Sequence, residues 1–210
     1  MKEHKIEQYR KHYQAYMEEI KRRTELAQKV FLSQQSGEGF TGNLDTDLDL
    51  IYLQIRKVCE LIMYAVVASN LAAGRELNKE LKRSAYEPKK IKRLLEQKTD
   101  VCSFPKSIIR TKSGDLTHIT DTSNAEDILN IGDLIEAWSL SGEYLHAKRV
   151  HQANVNKKKS DLDTAIEFFN KQVGLLNEHI IIVNDDHQFA VIMQEKESQS
   201  VKVVVLKKVA

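Results

Sequence analysis

The chain has 210 residues with 32 basic and 30 acidic side chains, so its net charge of +2 supplies no general field that would draw it to nucleic acid. Apolar residues make up 41% and charged residues 30%, a balance that supports a packed core under a solvated surface and excludes a disordered chain. One domain over residues 1–210 is expected, built of an N-terminal helix (1–36), a helical bundle (44–177) and a β-meander (178–210).

In the first segment Ile6, Tyr9, Tyr13, Tyr16, Ile20, Thr24, Ala27 and Phe31 recur at steps of three and four, the signature of a long amphipathic helix. Its aromatic stripe suits pairing with the same helix of a second copy, so a homodimer is expected. The run KRR at 21–23 reads as a solvated helix face. The stretch QQSGEGFTGN has the composition of a loop that reverses the chain.

A second helix follows, with Asp45 or Thr46 as its cap and Asp47 and Asp49 in its first turn, where negative charge suits the helix dipole. Leu48, Tyr52, Ile55, Cys59, Ile62 and Val66 make one apolar row, with Ile51, Val58 and Ala65 beside it. Between Val58 and Ala68 only Glu60 is charged, so this helix is predicted to be the centre of the bundle. Its uncharged stretch from Leu61 to Gly74 has 14 residues, against the roughly 20 needed to span a bilayer, so no membrane segment is expected. Glu60 stands four residues after Arg56 and needs a dedicated partner if buried. The two form either a structural ion pair or one wall of a polar cleft.

RELNKELKR can continue as a short exposed helix, and another helix restarts at Pro88 in YEPKKIKRLLEQK. Two β-leaning runs around Ser-Gly-Asp in SIIRTKSGDLTHIT suggest a small hairpin. A helix from about Ile131 to Ala147 buries Ile131, Leu134, Ile135, Trp138 and Leu145 and carries GEYLHAKRVH. In it Gly142 opens space four residues before His146, and that space admits either another helix or a ligand. A polar, basic loop through the KKK run at 157–159 leads to Ser160, the expected cap of the next helix. Three β-branched runs, HIIIV, QFAVIM and VKVVVLKK, then read as an antiparallel three-stranded meander.

Cys59 and Cys102 match no metal-ligand spacing, and neither do His146 with His151 or His179 with His187. No phosphate-cradling glycine loop and no nucleophile elbow occurs, so no metal or cofactor is expected. With no leader sequence recognised, the chain is expected in a reducing cytoplasm. Metal-free scission of RNA needs a base, an acid and a cation on the phosphate, and His146 with Arg149, helped by His151, has that chemistry. A histidine and bases at a helix end also have a purely structural reading.

The order LQIRKVCELIMYAVVASN, YEPKKIKRLLEQ, GEYLHAKR, then a helix and a β-rich tail, resembles a group of bacterial proteins that are in turn similar to the HEPN superfamily of helical domains. The similarity covers roughly residues 45 to 195. Many HEPN domains are toxin or phage-defence ribonucleases that act as dimers, with an arginine four to six residues before a histidine. The resemblance implies His146 in the histidine's place, but Tyr144, Glu143, Gly142, Ser141, Leu140 and Ser139 precede it, so the arginine is absent. Either Arg56 or Arg149 replaces it as phosphate clamp, with Glu60 orienting one of them, or the domain is silent and binds a protein partner in a defence system.

The fold class expected is α+β: a bundle of five or six helices around Leu48–Leu71, with a three-stranded sheet from His179 to Lys208 on its side.

Overall fold

The computed structural model describes residues 3–74, 87–98, 104–114, 116–146 and 155–208. These form helices α1 (Glu3–Gln35), α2 (Leu44–Ala72), α3 (Pro88–Lys98), α4 (Ile131–Leu145) and α5 (Val155–Leu176). The strands are β1 (Lys106–Ser113), β2 (Leu116–Asp121), β3 (Glu178–Ile182), β4 (His187–Ile192) and β5 (Lys202–Lys207). The predicted short helix at 75–83, along with Cys102, lies outside the described residues.

α2 is the hub. Residues on all its sides are buried, among them Ile51, Ile55, Val58, Ile62, Met63 and Val66, and α1, α3, α4 and α5 all pack on it. A helix with so little polar surface loses most free energy if any side is left in water, which is why the amphipathic helices gather around it. α1 turns Tyr13, Met17, Ile20, Ala27 and Val30 inward, while Tyr9 and Tyr16 sit at the edge of that face. Tyr16 stacks on Tyr64 of α2, and Arg10 donates to the Val203 carbonyl at 3.1 Å. The stripe expected to pair with a second copy is thus covered within one chain by α2 and the sheet.

The reversal between α1 and α2 uses Gly37, Gly39 and Gly42 at φ of +81°, +71° and +76°, a region that side chains disfavour. Asn43, not Asp45 or Thr46, caps α2, accepting from the backbone N–H of Asp45 at 2.9 Å. Asp47 has turned back into the loop. Fully buried, it accepts from the backbone N–H of Phe40 at 2.7 Å and Thr41 at 2.9 Å, from the Thr41 hydroxyl and from Gln34. Desolvation pushes its carboxyl up, yet the hydrogen bonds from Thr41, Phe40 and Gln34 outweigh it and hold the pKa below the usual carboxylate range.

The sheet has five strands, in the order β2-β1-β3-β4-β5 and antiparallel throughout, where the sequence led us to expect three. The hairpin predicted around Ser-Gly-Asp is present, and it joins the meander through Lys106↔Ile180 and Ser107↔His179. The inner face carries His179, Ile181, Phe189, Val191 and Val203 against the helices. One hydrophobic core runs through helices and sheet, so the mixed α+β architecture is a single packed unit over these residues.

α5 begins at Val155, ahead of the expected Ser160 cap, and takes the KKK run into its first turns. Lysine is a good helix former, and Lys158 reaches Asp45 at the start of α2 at 2.7 Å. No helix of the described residues is long and apolar enough to cross a membrane.

Candidate site at the seam of α2 and α4

Tyr52, Arg56 and Glu60 stand four residues apart and so share one row of α2. α4 crosses that row in the opposite direction: Tyr144 stacks on Tyr52 with centroids 4.2 Å apart, while Trp138 reaches Glu60. α4 starts cleanly because Asn130 and Asp133 form a capping box.

Glu60 is 8% exposed; it accepts from Lys57 Nζ at 3.0 Å and Trp138 Nε1 at 3.3 Å, and it forms an ion pair with Arg56, whose Nε lies 3.3 Å away. Two cations and an indole N–H compensate a carboxylate that would otherwise be costly to bury. The Arg56 guanidinium also lies over the Trp138 ring, 4.3 Å from its centroid, and donates through Nη1 to the Trp138 carbonyl at 3.2 Å. Gly142 makes the arrangement possible, because a Cβ at that position would collide with Arg56 Nη1. The space that the sequence left to a helix or a ligand is filled by Arg56.

Arg56 Nη2 donates to no described residue, and the side chain remains 26% exposed. Lys57 is 45% exposed. The seam therefore presents a planar cation and a point charge to solvent from a buried anionic base.

His146 is placed differently from the expectation. α4 ends at Leu145, and His146 is its exposed C-cap, with extended backbone at φ −72° and ψ 139°. The structure brings Arg56, Glu60, Trp138 and Gly142 together, whereas among the described contacts none joins His146 to Arg56 or Glu60. Arg149 and His151 lie outside the described residues.

Three members of this neighbourhood were not singled out from sequence as site residues. Trp138 read only as an apolar contact. Lys57 was legible from its spacing to Glu60, three residues on. Tyr144 precedes His146 by two positions, and burial, with Asp161 nearby, raises its hydroxyl and that of Tyr52 far above their ordinary pKa, so both stay protonated. The Tyr52 hydroxyl donates to the Asp161 carbonyl at 2.7 Å, which ties α5 to the same seam.

Cys59 lies behind the seam, where burial pushes its thiol up to about 12 and leaves it a poor nucleophile. No group of His, Cys, Asp or Glu among the described residues could hold a metal ion. His179 is fully buried against Tyr13, and His187 hydrogen-bonds Asn184 in a turn. At the other end of α4 an open groove is lined by Glu126, Asp127, Asp133, Glu167 and Lys171, and Lys171 is engaged by Glu167 at 3.0 Å. Its negative lining opposes phosphate. Comparison of the chain with protein-family models, with curated proteins and with solved structures finds no match.

Proposed function

We propose that the chain is a HEPN-like domain that engages RNA at the seam of α2 and α4 and cuts it without metal. The observation that carries the reading is Arg56 held against Gly142 with Nη2 meeting no acceptor among the described residues, on a helix that ends in an exposed histidine. Arg56 is the phosphate clamp, Glu60 its orienting carboxylate, and His146 the general base or acid. As base, His146 takes the proton of a 2'-hydroxyl, whose oxygen attacks the adjacent phosphorus. The bond to the 5'-oxygen breaks, and that oxygen takes a proton from an acid or from water. Arg149 is a second candidate cation.

Purified protein incubated with mixed RNA in chelator tests this beside His146→Ala. Cutting by the parent alone supports the proposal; equal cutting by both removes His146 from it.

A second reading is a catalytically silent interaction protein, as in bacterial defence systems that pair such domains with a protein partner. The observation favouring it is that Arg56 already spends Nε on Glu60 and Nη1 on Trp138. Among the described residues no strand pairs with the outer side of β2, where Ile119 is 45% exposed, and that edge is where a partner would add. No cutting by either protein leaves this reading.

A further inference from the structure

We infer that Gly142 and Trp138 are positioning residues that hold Arg56 as a preformed seat for a phosphodiester, an inference that rests on the reading of this seam as an RNA site. An arginine on a helix surface samples many rotamers, and a guanidinium fixed beforehand loses less entropy when it binds. Three contacts fix this one. The Trp138 ring lies under the guanidinium, the Trp138 carbonyl accepts from Nη1, and the Glu60 carboxylate pairs with the charge from the Nε side. Glu60 is itself held by the Trp138 indole N–H and by Lys57. Among the described residues Nη2 meets no acceptor, which leaves it to donate to a phosphate oxygen, and the half-exposed Lys57 stands on the other oxygen of Glu60.

Gly142 sets where Nη2 lies. A methyl group there meets Nη1, the far end of a flexible side chain, so Arg56 swings away while the backbone has no reason to move. Alanine is also the better helix former inside α4. The substitution therefore displaces the cation without deleting it. That separates position from charge, which Arg56→Ala cannot do.

Binding is read by anisotropy of a labelled, 2'-O-methylated oligouridylate, which cannot be cut. The position of the cation is read from Trp138, the one tryptophan in the chain, whose emission reports on the group over its ring. The parent, Gly142→Ala, Arg56→Ala and the double variant are compared at one salt concentration. The expected result is a shifted Trp138 emission in Gly142→Ala without RNA, an unchanged melting temperature, and binding roughly tenfold weaker than parent. The double variant is expected to bind no more weakly than Arg56→Ala, because Gly142 acts only through Arg56.

Parent-like binding by Gly142→Ala overturns the inference, as does a double variant weaker than Arg56→Ala. If Gly142→Ala does not fold, Arg56→Lys decides, since it keeps the charge and loses the planar group that Trp138 carries; parent-like binding by it overturns the inference. A parent that binds the oligonucleotide without cutting natural RNA leaves the inference standing and removes the ribonuclease reading. A parent that binds no RNA overturns the inference.

Discussion

The Tyr13 hydroxyl and Nε2 of His179 meet at 2.9 Å with both side chains fully buried, joining α1 to β3. Nδ1 of the same ring lies 2.9 Å from the Leu176 carbonyl, which can only accept, so Nδ1 carries the hydrogen and Nε2 accepts from Tyr13. Burial disfavours the imidazolium and lowers the His179 pKa from 6.5 to about 4. The unfolded chain takes up this proton below about pH 6.5 and the folded chain only near 4, so stability is full above the upper value and declines as the pH falls between them. The loss attributable to His179 is roughly 3 kcal/mol at the acid end. Urea midpoints at pH 7.5 and 4.5 check it against His179→Gln, which is expected to lose that share of the acid slope; identical slopes would remove the ring from the account.

Asp47 organises the α1–α2 loop through its contacts to Phe40, Thr41 and Gln34. Asp47→Ala leaves those donors facing a buried void, and a loss of about 2 to 4 kcal/mol is expected. Denaturant unfolding measures it. A change below about 0.5 kcal/mol would mean that the glycines alone set the turn.

Two glycines are predicted to behave oppositely when changed to alanine. At Gly174 the added Cβ lies 2.9 Å from the Asp127 carbonyl oxygen and 3.0 Å from Ile128 Cδ1, so backbone has to yield, and a loss of about 1 to 3 kcal/mol is expected. At Gly142 only the tip of Arg56 is displaced and the melting temperature holds. Thermal melts of both variants decide, and an unchanged Gly174→Ala would contradict the close approach of α5 to the loop before α4.

Glu60→Gln keeps the shape of the side chain and removes its charge. Arg56 and Lys57 are partly exposed, so water screens much of what they lose, and the expected cost is about 1 kcal/mol. Trp138 loses its charged acceptor at the same time, so its emission is expected to shift. An unshifted spectrum would place the indole N–H elsewhere.

The hub helix was legible because its apolar rows are a property of α2 alone, and the Arg56–Glu60 pair because helical spacing is local. Trp138 was not, since its indole reaches Glu60 only once α4 has docked. The cap of α2 fell to Asn43 because the helix already begins at Leu44, which puts the expected caps Asp45 and Thr46 inside its first turn, where their N–H groups donate to the Asn43 side chain. The hairpin could be read from its own pattern, whereas its addition to the meander depends on a strand that follows two intervening helices and leaves no periodic trace. The end of α4 at Leu145 moved His146 off the helix row on which the sequence placed it.

The junction between hairpin and meander has a dynamic consequence. β1 matches β3 at two positions, while the rest of its ladder is with β2 and Arg110 clasps Glu178 at 2.6 Å. The outer hairpin can thus peel and reseat as a tab while the plate of β3, β4 and β5 stays shut beneath α1. Its amide protons should trade with solvent sooner than those of the meander.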